Sequence, residues 1–378
     1  MTDAAVALGA VSDEARSQAS PLRVERVEAL EDVRDDWEAL ASATRNVFST
    51  WEWASLWWKR FGESRTLFVH ACRSADGRAV GILPLYLWQR RPFRVVRFVG
   101  HGEADQLGPI CLPEDRPAVA DALRSLLADA RADVFLAERM AREEGWGAPL
   151  GAGELRAEPS PVVRFDVETW EEFLRTRSRN FRDQARRRER RLAEQHEIRF
   201  RLAADPETLD QDLDALFSLH RARWSGTQTD FGRREAFHRE FAARALERGW
   251  LRLWLLEVDG HPRAAIHGFR LGDVESFYQS GRDPAFDDRS VGFVVLLHAI
   301  REALTDGMSE YRLLLGGEAY KYRFANDDRE VVTVATTRTR RAHAVLSGAV
   351  AARRSRAKLR SWRETRGEPT SQPDRPRV

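Results

Sequence analysis

Three strand-like runs, residues 251–258, 264–271 and 274–280, follow one another across the two-residue turns Asp259-Gly260 and Gly272-Asp273. Side chains alternate across a strand and Asp-Gly turns close hairpins, so this stretch must form an antiparallel meander. It runs through Gly281-Arg282-Asp283-Pro284 into residues 291–305, an apolar segment of helical length. A chain with this order builds a sheet and lays a helix back across it. The upstream half repeats the plan: strand-like runs at 67–73, 81–88 and 94–99 around the turn Asp76-Gly77, then a helix over 115–130 and short strands at 133–136 and 162–167. The expected fold class is therefore α+β, with two tandem units, each a mixed, mainly antiparallel sheet flanked by helices.

The expected units are residues 21–168 and 169–340, with strands at 162–167 and 331–338 closing the first and the second. Residues 1–20 are small and polar and read as disordered. Residues 341–363 read as a basic helix able to rest on an anionic membrane, and 366–378 as a Pro-rich tail. Trp51, Trp53, Trp57 and Trp58 recur at helical spacing and read as packing rather than ligand stacking.

Charge is balanced, 61 basic residues against 59 acidic and a net of +2, which argues against a DNA-binding protein. Lysine occurs only at 59, 321 and 358, so arginine is the default cation and Lys321 is singled out. Cys72 and Cys111 are too few for a disulfide framework or a zinc site, and reduced, buried thiols are expected with no metal. Residues 1–19 lack the basic-then-apolar order of a signal peptide, and the longest apolar stretch, 293–300, is too short to span a bilayer. Together these point to a cytoplasmic protein.

Chemistry concentrates in residues 274–324. Asp287-Asp288-Arg289-Ser290-Val291-Gly292 opens the apolar helix, where free N–H groups and the dipole favour a phosphate. Arg289 can meet a phosphate oxygen and Gly292 permits its close approach; the plainer alternative is an ordinary N-cap by Ser290. In Gly316-Gly317-Glu318-Ala319-Tyr320-Lys321-Tyr322, Lys321 between aromatics can stabilise an oxyanion and Glu318 can take a proton. A solvated lysine and a surface ion pair are the alternatives. His267, mid-strand, reads as a core histidine before a base. Tyr278 and Gln279 line an acceptor pocket or pack. Arg179, Arg182, Arg186 and Arg190 share one helix face, which suits an anionic acceptor, RNA phosphates or plain solvent.

Three segments now stand together: Phe277-Tyr278-Gln279-Ser280-Gly281-Arg282-Asp283-Pro284, Ser290-Val291-Gly292, and Gly316-Gly317-Glu318-Ala319-Tyr320-Lys321. They resemble the CelD/BioF2-like acetyltransferase family of the GNAT superfamily, related to the FemAB aminoacyl transferases. Members carry a tyrosine-rich strand ending in Gly-x-Asp-Pro, a Ser/Pro-Gly helix start and a Gly-Asp-x-x-Tyr-Lys signature. The resemblance is weaker at 48–61 and 81–87 and covers most of residues 23–338. It implies direct N- or O-acyl transfer from acetyl-CoA or another acyl-CoA to a small-molecule or saccharide acceptor of exopolysaccharide or cell-envelope chemistry. It also implies a donor site in the second unit at Arg289, Ser290, Val291 and Gly292, catalysis by Glu318, Tyr320 and Lys321, and acceptor contacts from Tyr278, Gln279, His267, Arg182 and Arg186. Arg312 and Gly317 stand where members have aspartates, which leaves Glu318 as the carboxylate expected near Tyr320 and Lys321. Two alternatives follow: a FemAB-type transferase using aminoacyl-tRNA, and a catalytically weakened binding homologue.

Overall fold

The computed structural model describes residues 22–224, 229–349 and 351–352. The expected disorder of 1–20 and the tail at 366–378 lie outside the described residues. Of the basic helix expected at 341–363, residues 340–349 are helical, and its arginine-rich half from 353 onward also lies outside the described residues. Among the described residues, no helix is long and apolar enough to cross a membrane.

The chain is α+β, with mixed and antiparallel sheets flanked by helices. A four-stranded antiparallel sheet orders Arg23–Arg26, His70–Arg73, Ala79–Leu83 and Ile110–Cys111. Pro84 interrupts the run that follows, and Leu85–Arg90 passes into a six-stranded sheet between Thr66–Leu67 and Phe93–Phe98. A seven-stranded sheet orders Ile198–Leu202, Leu251–Val258, His261–Leu271, Val274–Arg282, Glu310–Arg312, Pro161–Arg164 and Asp327–Asp328. The expected meander is its centre.

Two strands sit where the sequence reading did not put them. Pro161–Arg164, expected to close the first unit, pairs antiparallel with Glu310–Arg312 in the seven-stranded sheet. Val331–Thr337, expected to close the second, lies between Val134–Ala141 and Gly153–Glu158 in the six-stranded sheet. The boundary expected at 168 therefore does not separate the sheets. The physical reason is edge cover: Glu310–Arg312 offers an open edge, and Val162 and Val163, 1% and 0% exposed, bury themselves on it.

One face of the seven-stranded sheet carries the helices Leu209–Arg223 and Glu235–Glu247, and the other carries Val291–Thr305 and Arg179–Gln195. The first unit packs on the former face through the helix Trp51–Phe61. Trp53, fully buried, meets Phe241 edge-on at 4.6 Å and Phe237 at 5.1 Å. Such aromatic pairs add roughly 0.5–1.5 kcal/mol beyond the area they bury. Trp53 is therefore a packing residue that joins the two halves, while Trp57 packs within the first, against Phe61 and Tyr86. Cys72 and Cys111 are free and buried.

Candidate functional site

The strand Val274–Arg282 is irregular in a way that opens the sheet. Its register against His261–Leu271 steps from His267↔Gln279 to Gly268↔Phe277, so Tyr278 is an extra, bulged residue. Gly268 makes this possible, since a Cβ there would stand 2.3 Å from the Ser276 carbonyl oxygen. On the other edge, the parallel pairing with Glu310–Arg312 lasts from Val274↔Glu310 to Ser276↔Arg312 and goes no further among the described residues. The chain after Arg312 turns toward Pro161 and Pro159 instead, with Leu314 at φ 54° and Gly316 at φ 115°. A wedge results, with the free edge of Phe277–Arg282 on one side and the loop from 313 to 320 on the other.

Lys321 closes the foot of this wedge. It is 3% exposed, and its Nζ donates to the Leu315 carbonyl at 2.7 Å, approaches that of Leu314 at 3.5 Å, and pairs with Glu318 Oε2 at 3.1 Å. The lysine expected to stabilise an oxyanion is turned inward, because these carbonyls have lost their strand neighbour and need a donor. Glu318 does stand beside it, and Gly316 lets that carboxylate fold back, since a Cβ at 316 would meet its Oε2 at 2.5 Å. A second carboxylate arrives from the first unit. Asp105, paired with Arg139 at 3.3 Å, accepts from the Leu315 N–H and feels the Lys321 charge; burial pushes its carboxyl above the usual range. Glu318 is thus not the lone carboxylate expected there.

Tyr320 is half-buried at the mouth of the wedge. Burial raises its phenol above the ordinary value, against the pull of the Arg223 and Arg282 guanidiniums. Arg223 comes from the end of the helix Leu209–Arg223 and donates to Ser280 Oγ. One turn back, His220 Nδ1 donates to the Ser280 carbonyl at 3.0 Å, which leaves Nε2 to accept from Thr229 Oγ1 at 2.8 Å. The helix end lies this close because position 281 is glycine; a Cβ would stand 2.4 Å from the His220 backbone nitrogen. Sequence reasoning missed His220, Arg223, Arg282 and Asp105. The signal for the first two was a polar His220-x-x-Arg223-Trp224 ending on an otherwise apolar helix face.

The helix Val291–Thr305 begins beside this group. Ser290 has φ 59° and makes no side-chain cap, so the N-cap alternative fails and the Val291 and Gly292 amides have no side-chain acceptor. A Cβ on Gly292 would meet Arg282 Cδ at 3.2 Å, so Arg282 stands between the helix start and Tyr320. Arg289 points away: its guanidinium meets the His196 ring and Asp288 at 3.5 Å.

The remaining candidates separate from the wedge. Tyr278 is 7% exposed and its hydroxyl donates to the Glu103 carbonyl at 2.9 Å, so it packs rather than lining an open pocket; Gln279 is half-buried next to it. His267 is 1% exposed among Phe231, Phe269 and Tyr278, and burial pushes it down to about 3. It is a core residue. Arg182 folds back on the Arg177 carbonyl at 2.7 Å, and Arg186 pairs with Glu171 at 2.8 Å. The four-arginine stripe is thus broken by local partners.

Residues 179–322 match the family model described as an acetyltransferase (GNAT) domain. No curated protein matches the chain in sequence. Among solved structures, it is similar to FemX at 11% identity and a TM-score of 0.60, covering 83% of this chain and 97% of that one. It is similar to the C-terminal domain of a putative lysylphosphatidylglycerol synthetase from Agrobacterium fabrum at 10% identity and a TM-score of 0.55, covering 85% and 97%. It is also similar to L-PGS from Bacillus licheniformis at 14% identity and a TM-score of 0.52, covering 86% and 98%. These likenesses establish a shared fold across both halves of the chain.

Proposed function

We propose, from the premise that residues 179–322 are a GNAT acyltransferase domain, that the protein transfers an acyl group from coenzyme A to an amine or hydroxyl on a small-molecule or saccharide acceptor of the cell envelope. The observation that carries this reading is the unpaired edge of Phe277–Arg282 ending beside an uncapped helix start. The pantetheine arm of coenzyme A carries two amides, and an unpaired strand edge is their natural partner. Its pyrophosphate suits the Val291 and Gly292 amides, with Arg282 adjacent. The thioester carbonyl then lies near Arg223 and Tyr320.

In this mechanism the acceptor attacks the thioester carbonyl and passes its proton to Glu318, directly or through water. The Arg223 guanidinium stabilises the tetrahedral oxyanion. The carbon–sulfur bond breaks, and Tyr320, still protonated because its pKa is raised, donates its proton to the departing thiolate. Lys321 and Asp105 act by holding the wedge open. A cytoplasmic site of action, with or without peripheral membrane contact through 341–363, is part of the same proposal. Thermal-shift and intact-mass screening against a panel of acyl-CoAs tests it. A shift and consumption of at least one donor are expected; no shift and no consumption with any donor overturn it.

One further reading is supported by a specific observation. The fold likeness to FemX and L-PGS spans both halves of the chain, which suits an aminoacyl donor carried on tRNA. A gel shift with charged tRNA, in the absence of any coenzyme A effect, would favour that donor.

A further inference from the structure

Some arginines on this surface are neutralised locally. Arg179 pairs with Asp183, Arg186 with Glu171 and Arg190 with Glu194. Others, Arg187 and Arg191 among them, are not. Among the described residues, Arg177, Arg182, Arg188 and Arg323 have no carboxylate within 4.0 Å. Arg177 donates to the Phe324 and Ala325 carbonyls at 3.0 and 3.1 Å, and Arg182 to the Arg177 carbonyl. Arg188 and Arg323 both lie over the ring of Phe293, at 4.7 and 5.0 Å. Burial, together with the nearby Arg323 and Arg187 charges, pushes Arg188 below its ordinary value. Like charges held together in this way destabilise the empty state and call for an anion.

Two of these arginines, Arg177 and Arg323, border a cavity. Thr176, Arg177, Ser178, Asn180, Tyr322 and Arg323 line an open, polar hollow of about 340 Å³. Asp328, the carboxylate next to Tyr322, is engaged by the Tyr322 hydroxyl and the Ser160 amide. We propose that this hollow binds a phosphate ester of nucleotide size, with Arg177 and Arg323 as its lining cations and Arg188, which shares the Phe293 ring with Arg323, beside them. The volume matches a small-molecule site rather than a polymer track. The pairing of Arg179, Arg186 and Arg190 interrupts the charge along the helix that an RNA backbone would track. Pyrophosphate also suits the Val291 and Gly292 amides of the donor reading, so loss of binding in the Arg188 and Arg323 variants is what assigns it to this hollow.

Calorimetric titration of the full chain with adenosine 3′,5′-bisphosphate and with inorganic pyrophosphate tests it. Saturable binding that weakens with added salt is expected. The double variant Arg188→Gln/Arg323→Gln, which spares every backbone contact made by Arg177, should keep the wild-type melting temperature. It should lose affinity by roughly tenfold for each guanidinium removed. Single variants, Arg188→Gln and Arg323→Gln, cover the case in which the double variant is unstable. No saturable binding, binding unchanged in the variants, or tighter binding of an RNA hairpin lost in the same variants would overturn the proposal.

Discussion

Lys321 Nζ stands 2.7 Å from the carbonyl oxygen of Leu315, a bond that exists because the parallel pairing of the sheet stops at Arg312, short of Leu315. The ammonium takes the place of the missing strand. Lys321→Met keeps the aliphatic stem and leaves two carbonyls and Glu318 without their donor. A loss of roughly 3 kcal/mol is expected, since a buried polar group left unpaired costs about 1–3 kcal/mol. Urea unfolding measures it. Lost activity with full stability would instead make Lys321 catalytic.

Gly281→Ala places a methyl group 2.4 Å from the His220 nitrogen, where backbone rather than a flexible side chain must give way. The helix end carrying Arg223 has to lift off the strand. Overpacking of this kind costs about 1–3 kcal/mol. The variant should melt earlier and show a lower kcat, because Arg223 leaves Ser280. Unchanged turnover in a folded variant would remove Arg223 from the mechanism.

Tyr320→Phe deletes the proposed proton donor while keeping the ring against the buried apolar cluster it packs on. A general acid contributes about 10²–10⁴-fold. Steady-state assays should show kcat down by about a hundredfold with KM for the acyl-CoA little changed. The alkaline limb of the wild-type pH profile should lie high, because burial raises this phenol.

Acid should weaken the fold through His298. Its ring stacks on Phe200 at 3.9 Å and meets Trp254 edge-on, and burial pushes it down to about 4. The unfolded chain, with an ordinary histidine near 6.5, binds the proton more readily. Stability from the neutral ring is therefore whole above pH 6.5 and is lost as pH falls toward 4, by roughly 3 kcal/mol in all. Equilibrium melts across that window measure the slope, and His298→Leu should flatten it.

Cys72 and Cys111 should resist thiol reagents. Burial pushes each thiol up to about 12, so almost no thiolate is present at neutral pH. Ellman's reagent should label neither in the native protein and both in guanidinium.

The meander was legible because its signal is local. Asp259 and Gly260 have φ values of 51° and 76°, as two-residue hairpin turns demand, and the helix Val291–Thr305 begins and ends where its apolar run does. Strand exchange was not legible. Val331–Thr337 reads as a strand by its own residues, but nothing in them names Val134–Ala141 as the neighbour. At the site, the helix start and the nearness of Glu318 to Lys321 were readable from spacing, while the missing Ser290 cap was not. The inward turn of Lys321 was not, since it depends on where the sheet splits. Asp105 could not be found from 316–322 at all, because it crosses from the other half of the molecule.

The exchange of Pro161–Arg164 for Val331–Thr337 laces the polypeptide through both layers like a shoestring. Severing it near 168 and producing the pieces apart would strip each of an inner rib and bare a sticky border inviting aggregation. Neither portion is a self-sufficient module, and melting should proceed as one event, so function has to be studied on the intact polypeptide.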